Sequence, residues 1–275
     1  MNLDAKALMQ SERLAAVLAE IETQGRITVT DAASRFGVSA ETVRRDLKLL
    51  ASDRRVQLVR GGAILARSST SPALQGEALP SVEFRVRSNE AEKDAIGRHA
   101  AELVADGQVV LLDGGTTTLS VARHLKPRRN LTVVTNNLLV AQEIGRRPGW
   151  RVHVIGGELS PLSMSLVGLS AVQGLQNVAV DIAFLGAAGV SATGGFTSPD
   201  PFESELKRGM MAIARRVVVV ADHTKLTTSG FAAFATPEKV DVFVTSKGAR
   251  EEMLQPFRRA GVEIIVARSE ARHDD

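Results

Sequence analysis

The chain has 275 residues, enough for one large domain or two of ordinary size, and 44% of them are hydrophobic, which supplies ample core material. No apolar run approaches the ~18 residues of a membrane helix; Val217 to Ala221 has strand length. Without cysteine there are no disulfides, thiol nucleophiles or cysteine-based metal sites. Met1 to Gln10 has no basic start followed by an apolar stretch, so the expectation is a cytoplasmic protein with no secretory signal and no membrane partner.

The net charge is only +3, but it is unevenly placed. Between Arg44 and Arg67 seven basic residues (Arg44, Arg45, Lys48, Arg54, Arg55, Arg60, Arg67) face two acids, Asp46 and Asp53, an excess of five positive charges over 24 residues. Such a patch can contact several phosphates, although charge alone equally describes a solvated face.

Taken in chain order, Leu14, Val17, Leu18 and Ile21 form one apolar stripe of a first helix that Gly25 ends. Thr28-Val29-Thr30 reads as a short extended piece, with Thr30 as the N-cap of a second helix through Phe36. Gly37-Val38-Ser39 is a tight turn, and Ser39 caps a third helix from Ala40 to about Ser52 with Val43, Leu47 and Leu50 inward. Two helices joined by a short glycine-containing turn make a helix-turn-helix. Val56–Val59 and Ala63–Leu65 are two strands joined at Arg60-Gly61-Gly62, a hairpin placed like a wing.

These elements give a winged helix-turn-helix domain over 1–65, and the Ser-, Pro- and Gly-rich stretch 66–80 reads as a linker. From 81 to 275 strands alternate with helices: strands near 109–112, 131–135, 152–155, 182–185, 217–221, 240–245 and 263–266, with helices near 119–125 and 138–146. That alternation predicts an α/β domain built on a parallel sheet covered on both faces.

The inward residues of the third helix leave Thr42, Arg44, Arg45 and Lys48 outward or on the flank. Arginine can reach both acceptors of guanine in the major groove of double-stranded DNA, and lysine can reach phosphate. Arg54, Arg55 and Arg60 would follow the backbone or the minor groove. A three-helix peptide-binding domain is the bland alternative; the turn spacing, the capping Ser39 and the basic cluster favour DNA.

In the second domain, Asp113-Gly114-Gly115-Thr116-Thr117-Thr118 follows a strand and opens a helix. Glycines let a backbone approach, amides at a helix start point outward, and threonine hydroxyls add donors, so this turn suits an anion. Thr135-Asn136-Asn137, Gly156-Gly157 and Asp222-His223-Thr224-Lys225 hold comparable positions. Strand ends of an open parallel sheet line one crevice, so these turns can meet around one ligand: the asparagines pair hydroxyls and Lys225 neutralises a phosphate. Lys207, with Glu203 and Glu205 on a helix after Pro201, is a weaker candidate for the wall.

Phe36-Gly37-Val38-Ser39, Thr42-Val43-Arg44-Arg45-Asp46-Leu47 and Arg60-Gly61-Gly62-Ala63 closely resemble the DeoR family of bacterial regulators. Ser81-Val82-Glu83-Phe84-Arg85 and Glu92-Lys93 are similar to the segment that opens that family's sensor domain. The resemblance implies operator contact through Arg44 and Arg45 and effector binding at the turns named above; Asp46, which phosphate would repel, is expected to hold one of these arginines rather than to touch DNA. Position 60 is more often histidine in the family. The resemblance further implies a sugar-metabolism repressor whose DNA binding responds to a phosphorylated sugar, and a sensor fold like that of ribose-phosphate isomerases.

An isomerase is therefore the rival reading. Its proton transfer needs carboxylates, which such enzymes carry in an Asp-Gly-Ala-Asp-Glu run; here the matching run, Leu185-Gly186-Ala187-Ala188-Gly189, has none, and Asp181 reads as structural. No nucleotide loop, nucleophile elbow or paired-histidine metal motif occurs in the sequence. The expectation is a regulator, not an enzyme, without cofactor or metal, acting as a homo-oligomer of at least two copies because half-sites come in pairs.

Overall fold

The computed structural model describes residues 10–52, 56–59, 61–65 and 82–268, and the chain divides into two compact units, Met1–Arg85 and Val86–Asp275. Among the described residues no helix is long and apolar enough to cross a membrane.

The first unit begins with α1 (Gln10–Gln24), β1 (Arg26–Thr28), α2 (Val29–Phe36) and α3 (Ala40–Ser52), followed by β2 (Val56–Val59) and β3 (Gly62–Leu65). The apolar stripe of α1 meets the inward residues of α3 in one core that includes Val17, Ile21, Val43, Leu47 and Leu50. Two details differ from the sequence expectation. Thr28, not Thr30, caps α2: its Oγ1 accepts from Asp31 N at 3.1 Å and donates to the Asp31 carboxylate at 2.6 Å. Val29 enters the core, and the helix starts two residues earlier than a cap at Thr30 would place it. The extended piece before it is a full member of the wing, because β1 pairs antiparallel with β3 to give a three-stranded sheet of order β1-β3-β2.

Between α2 and α3, Gly37 adopts φ +63°, a left-handed conformation that side chains disfavour, and its N–H bonds the Ala33 carbonyl to close α2. Ser39 Oγ accepts from Thr42 N at 3.1 Å and caps α3.

A buried ion pair braces α3. Arg13 of α1 donates through Nε to Asp46 Oδ2 at 2.6 Å and through a terminal nitrogen to Oδ1 at 3.3 Å. Asp46 is therefore a tie to α1, which corrects the expectation that it holds Arg44 or Arg45. The hydrogen bond to Asp46 raises the Arg13 pKa against the opposing effect of burial.

The second unit, which α4 (Val82–Arg87) leads into, continues with α5 (Glu90–Ala101), β4 (Val109–Leu112), α6 (Thr116–His124), β5 (Thr132–Thr135), α7 (Leu138–Gly145), β6 (Arg151–Val154), β7 (Glu158–Ser160), β8 (Ser165–Val167) and α8 (Leu169–Gln173). Then follow β9 (Ile182–Gly186), β10 (Gly189–Ser191), β11 (Gly195–Ser198), α9 (Pro201–Ala212), β12 (Val217–Val220), a 3-10 turn at His223–Thr227, β13 (Ala232–Ala235), β14 (Val242–Ser246), α10 (Glu251–Arg259) and β15 (Glu263–Ala267).

Seven strands form a wholly parallel sheet of order β15-β14-β12-β9-β4-β5-β6. Its five inner strands, β14, β12, β9, β4 and β5, are buried on both faces with side chains alternating between two cores. Val110, Leu112, Val133, Phe184, Val218 and Val244 point toward α5, α6 and α7. Leu111, Val134, Leu185, Val219 and Phe243 point toward α8, α9, α10 and a small antiparallel sheet of order β10-β11-β13. In the second core the ring of Phe196 lies 5.5 Å from those of both Phe243 and Phe257. The sequence reading finds the seven parallel strands but not β7, β8, β10, β11 or β13, each of three or four residues.

Asp181 is structural, accepting from Val109 N at 2.8 Å and pairing with Arg215 at 3.2 Å. The chain runs outward from β4 through β5 to β6, returns to β9 beside β4, and runs the other way, so the crevice of this sheet opens where β4 and β9 part.

Asp46→Ala leaves the Arg13 guanidinium buried without its acid and lowers the stability of the first unit by about 3–5 kcal/mol. Arg13→Met with Asp46→Leu removes both charges and loses much less. Urea unfolding of the full chain, followed by a probe in the first unit, separates the two; equal losses would mean that the pair is not the brace.

Candidate nucleic-acid interface and effector crevice

The outer face of α3 presents Arg44, Arg45 and Lys48, all exposed, beside the half-buried Thr42. Arg44 is within 3.2 Å of Glu41 one turn back, an exposed surface pair that contributes little to stability. Ser39 keeps its cap and shares a 2.8 Å hydrogen bond with the Thr42 hydroxyl. Arg54, Arg55 and Arg60 lie outside the described residues.

In the second unit the turns gather at the C-terminal edge of the parallel sheet. Asp113, at the end of β4, is buried with 4% exposure and accepts from Gly186 N, at the end of β9, at 3.1 Å. The Lys207 ammonium, equally buried, pairs with the same Asp113 oxygen, donates to the Gly186 carbonyl at 3.0 Å and lies 5.3 Å from the Phe234 ring centre. The charge of Lys207 is thus paired, and it bolts α9 to the switch point.

Immediately after, Gly114 passes so close to β8 that a Cβ there would collide with Ser165 Oγ. Gly115 is the N-cap of α6 and supplies no side-chain cap, while Thr118 Oγ1 donates back to the Asp113 carbonyl at 2.7 Å. The first intrahelical bond is Leu119 N to Gly115 O, so the amides of Thr116, Thr117 and Thr118 precede the ladder. They carry the positive end of the helix dipole, and Gly114, Gly115 and Thr116 are only half-buried. Thr117 and Thr118 are buried.

At the end of β5, Thr135 Oγ1 accepts from Asn137 N at 3.1 Å. Asn137 caps α7 through Oδ1 and gives both amide hydrogens to Ser163 O, at 2.8 Å, and Ser165 Oγ, at 3.0 Å, which fully engages it. Asn136 donates to the Leu166 carbonyl at 3.0 Å, while its buried Oδ1 has no partner among the described residues. Gly156 and Gly157 follow β6 and are exposed.

At the end of β12, Asp222 caps the turn that carries the half-buried Lys225, for which no carboxylate partner occurs among the described residues. The sequence reading missed Ser163, Ser165 and Gly186; the first two lie on the unrecognised β7–β8 hairpin, while Gly186 stands in the noted Gly-Ala run.

A basic-faced helix-turn-helix with a wing, joined in one chain to a doubly wound domain with a polar crevice at its switch point, defines a DNA-binding regulator with a sensor domain. The DeoR-like helix-turn-helix domain matches residues 13–69, and the DeoR C terminal sensor domain matches residues 88–247. The chain belongs to the DeoR family of transcriptional regulators.

The transcriptional repressor GlcR of Bacillus subtilis is 32% identical over 97% of this chain and 100% of its own. The repressor AccR of Agrobacterium fabrum is 35% identical over 82% and 83%, and the glycerol-3-phosphate regulon repressor of Escherichia coli is 29% identical over 86% and 91%. Among solved structures, ribose 5-phosphate isomerase A of Methanocaldococcus jannaschii superposes with a TM-score of 0.37 and 20% identity over 50% of this chain and 54% of its own, too slight a likeness to bear on function.

Gly114→Ala forces the new methyl against Ser165 and destabilises the second unit by about 1–3 kcal/mol. Adding Ser165→Gly recovers part of that loss, read as the thermal midpoint; no recovery would mean that the approach of β8 is not the constraint.

Proposed function

We propose that this regulator is a repressor of a carbohydrate operon, acting in the cytoplasm as a homo-oligomer of at least two copies, and that a phosphorylated sugar binds in the crevice of its sensor unit. The observation that carries the reading is the start of α6. Three amides outside the helical ladder and a half-buried Gly-Gly-Thr turn stand at the switch point of a parallel sheet, held by the buried Asp113–Lys207 pair. This is the chemistry that receives a phosphate.

In this assignment Thr116, Thr117 and Thr118, with Gly114 and Gly115, form the phosphate cradle, and Lys225 adds the neutralising charge. Asn136 offers an unpaired acceptor to a sugar hydroxyl. Asp113, Lys207, Thr135 and Asn137 hold the cradle in place, and Gly156 and Gly157 keep the rim open. Arg44, Arg45 and Lys48 meet the operator, with Thr42 and Ser39 at the helix start and Arg54, Arg55 and Arg60 along the backbone.

The named relatives support repression, and one is named for a regulon of a phosphorylated polyol. Isomerisation is disfavoured on the same geometry, because the Asp113 oxygen nearest the switch point is held by Lys207 and Gly186 and is not free to take a proton. Effector binding alters operator affinity by its preference between two states, typically about 1–3 kcal/mol.

Arg44→Ala and Arg45→Ala each weaken operator binding by about 1–3 kcal/mol if the side chain reaches a base. A salt-matched gel shift with unchanged affinity would remove that residue from the interface. For the sensor, thermal unfolding of the full chain is scanned against sugar phosphates and their parent sugars. The ligand at a hundred times its Kd adds about 2.7 kcal/mol, the parent sugar adds little, and Lys225→Ala abolishes the shift without changing operator affinity. A shift with no compound sinks the phosphosugar assignment for the panel, and a shift unaffected by Lys225→Ala moves the pocket elsewhere.

A further inference from the structure

A second polar cluster stands on the same edge of the sheet. Glu92, near the start of α5, places Oε2 2.8 Å from His223 Nδ1 and accepts from Ser246 Oγ, at the end of β14, at 2.5 Å. Ser246 Oγ also lies 3.1 Å from His223 Nδ1 and accepts from His223 N at 2.9 Å. Asp222 completes the group: one ligating atom from each of Glu92, Asp222 and His223 lies within 4.8 Å of the others.

Charge makes the cluster unusual. Asp222 is 1% exposed and Glu92 is about one-third exposed, yet no lysine or arginine pairs with either carboxylate among the described residues. The hydrogen bonds of Asp222, from Asn89 at 3.3 Å and from Thr224 N at 3.1 Å with the Thr224 hydroxyl, come from neutral donors and all fall on Oδ1. Buried acids are ordinarily paired with a cation or coordinate a metal. Beside the cluster opens a cavity of about 410 Å³, lined by Glu92, Ser246, Lys247 and Gly248 among others, with room for the ion's remaining ligands.

We infer that Glu92, Asp222 and His223 bind a first-row divalent cation such as Zn²⁺ or Mn²⁺, with Ser246 orienting Glu92 and water completing the shell from the cavity. One imidazole and two carboxylates form a mixed nitrogen and oxygen set suited to these ions and poorly suited to Mg²⁺, which prefers oxygen ligands alone. Zinc–ligand bonds of about 2.0–2.2 Å separate neighbouring ligand atoms by roughly 3.3 Å. The His223–Glu92 pair therefore opens by roughly half an ångström as the ion replaces the hydrogen between them. Loaded, the site joins α5 to the loops that follow β12 and β14. It is independent of the effector assignment, since the metal alone is the titrant.

The test is calorimetric titration of the chelator-treated full chain with Zn²⁺, Mn²⁺ and Mg²⁺ separately. One equivalent of Zn²⁺ or Mn²⁺ binds saturably, and Mg²⁺ binds at least about tenfold more weakly. Glu92→Gln and His223→Gln each weaken binding about tenfold or more, whereas His124→Gln and His153→Gln leave it unchanged. Should either site variant fail to fold, X-ray absorption of the one-to-one zinc complex of the unaltered chain decides, by finding one imidazole within an otherwise oxygen shell. Absence of one-to-one binding, affinity untouched by both site variants, or a shell without imidazole overturns the site.

Discussion

A carboxylate buried at the end of β4 must be matched by a cation, and the organisation of the sensor unit follows from how that demand is met. Asp113 receives the Lys207 ammonium from α9 and the Gly186 amide from β9, while Lys207 also reaches the Gly186 carbonyl. One ion pair thus spans the two strands that part at the switch point and clamps a helix from the far layer against them. Breaking such a pair leaves a charge stranded in the core and costs about 3–5 kcal/mol, so the arrangement is stiff. The stiffness passes to the next residues, because Thr118 hangs from the Asp113 carbonyl and fixes the first turn of α6. Preorganised amides bind an anion without first having to be ordered.

The DNA-binding unit uses the same device. Asp46 lies on the inner side of α3, between Arg45 and Leu47, and is held in two hydrogen bonds by Arg13 of α1. The tie orients the helix whose outer face carries Arg44, Arg45 and Lys48. In both units a buried aspartate beside the candidate site residues is locked by a long-chain cation distant in sequence. The planar guanidinium suits the bidentate grip on α3, and the ammonium suits the single oxygen it shares with a backbone amide.

The contrast between what the sequence discloses and what it hides has a physical origin. Val109–Leu112, Ile182–Leu185 and Val217–Val220 are legible because a parallel strand covered on both faces must be apolar throughout. The stripe of α1 and the Gly37 turn are legible because they are local. The partners of Asp46 and Asp113 stand 33 and 94 residues away, and no local pattern marks an arginine or lysine as theirs. The sequence accordingly points Asp46 to its neighbours Arg44 and Arg45 and leaves the ion pair of Lys207 unseen. The β7–β8 hairpin escaped because its strands have three residues each, too few to show alternation; with it went Ser163 and Ser165, which engage both amide hydrogens of Asn137.

Of the buried aspartates among the described residues, Asp46 and Asp113 have a basic partner within reach, while Asp222 has neutral donors and a neighbouring acid. The difference bears on the crevice because of strand order. Since β4, β9, β12 and β14 are consecutive in the sheet, their C-terminal ends form one rim, from the cradle at α6 to the cavity beside Ser246. Asp222 caps the short turn whose third residue is Lys225, so whatever fixes Asp222 also fixes where that ammonium can stand. Asn89 and Glu92 bind the same loop from the start of α5, the helix nearest in sequence to the segment leading from the DNA-binding unit. In the proposed assignment, a ligand that draws Lys225 toward the turn at α6 therefore pulls, through Asp222 and His223, on hydrogen bonds that end at the start of α5.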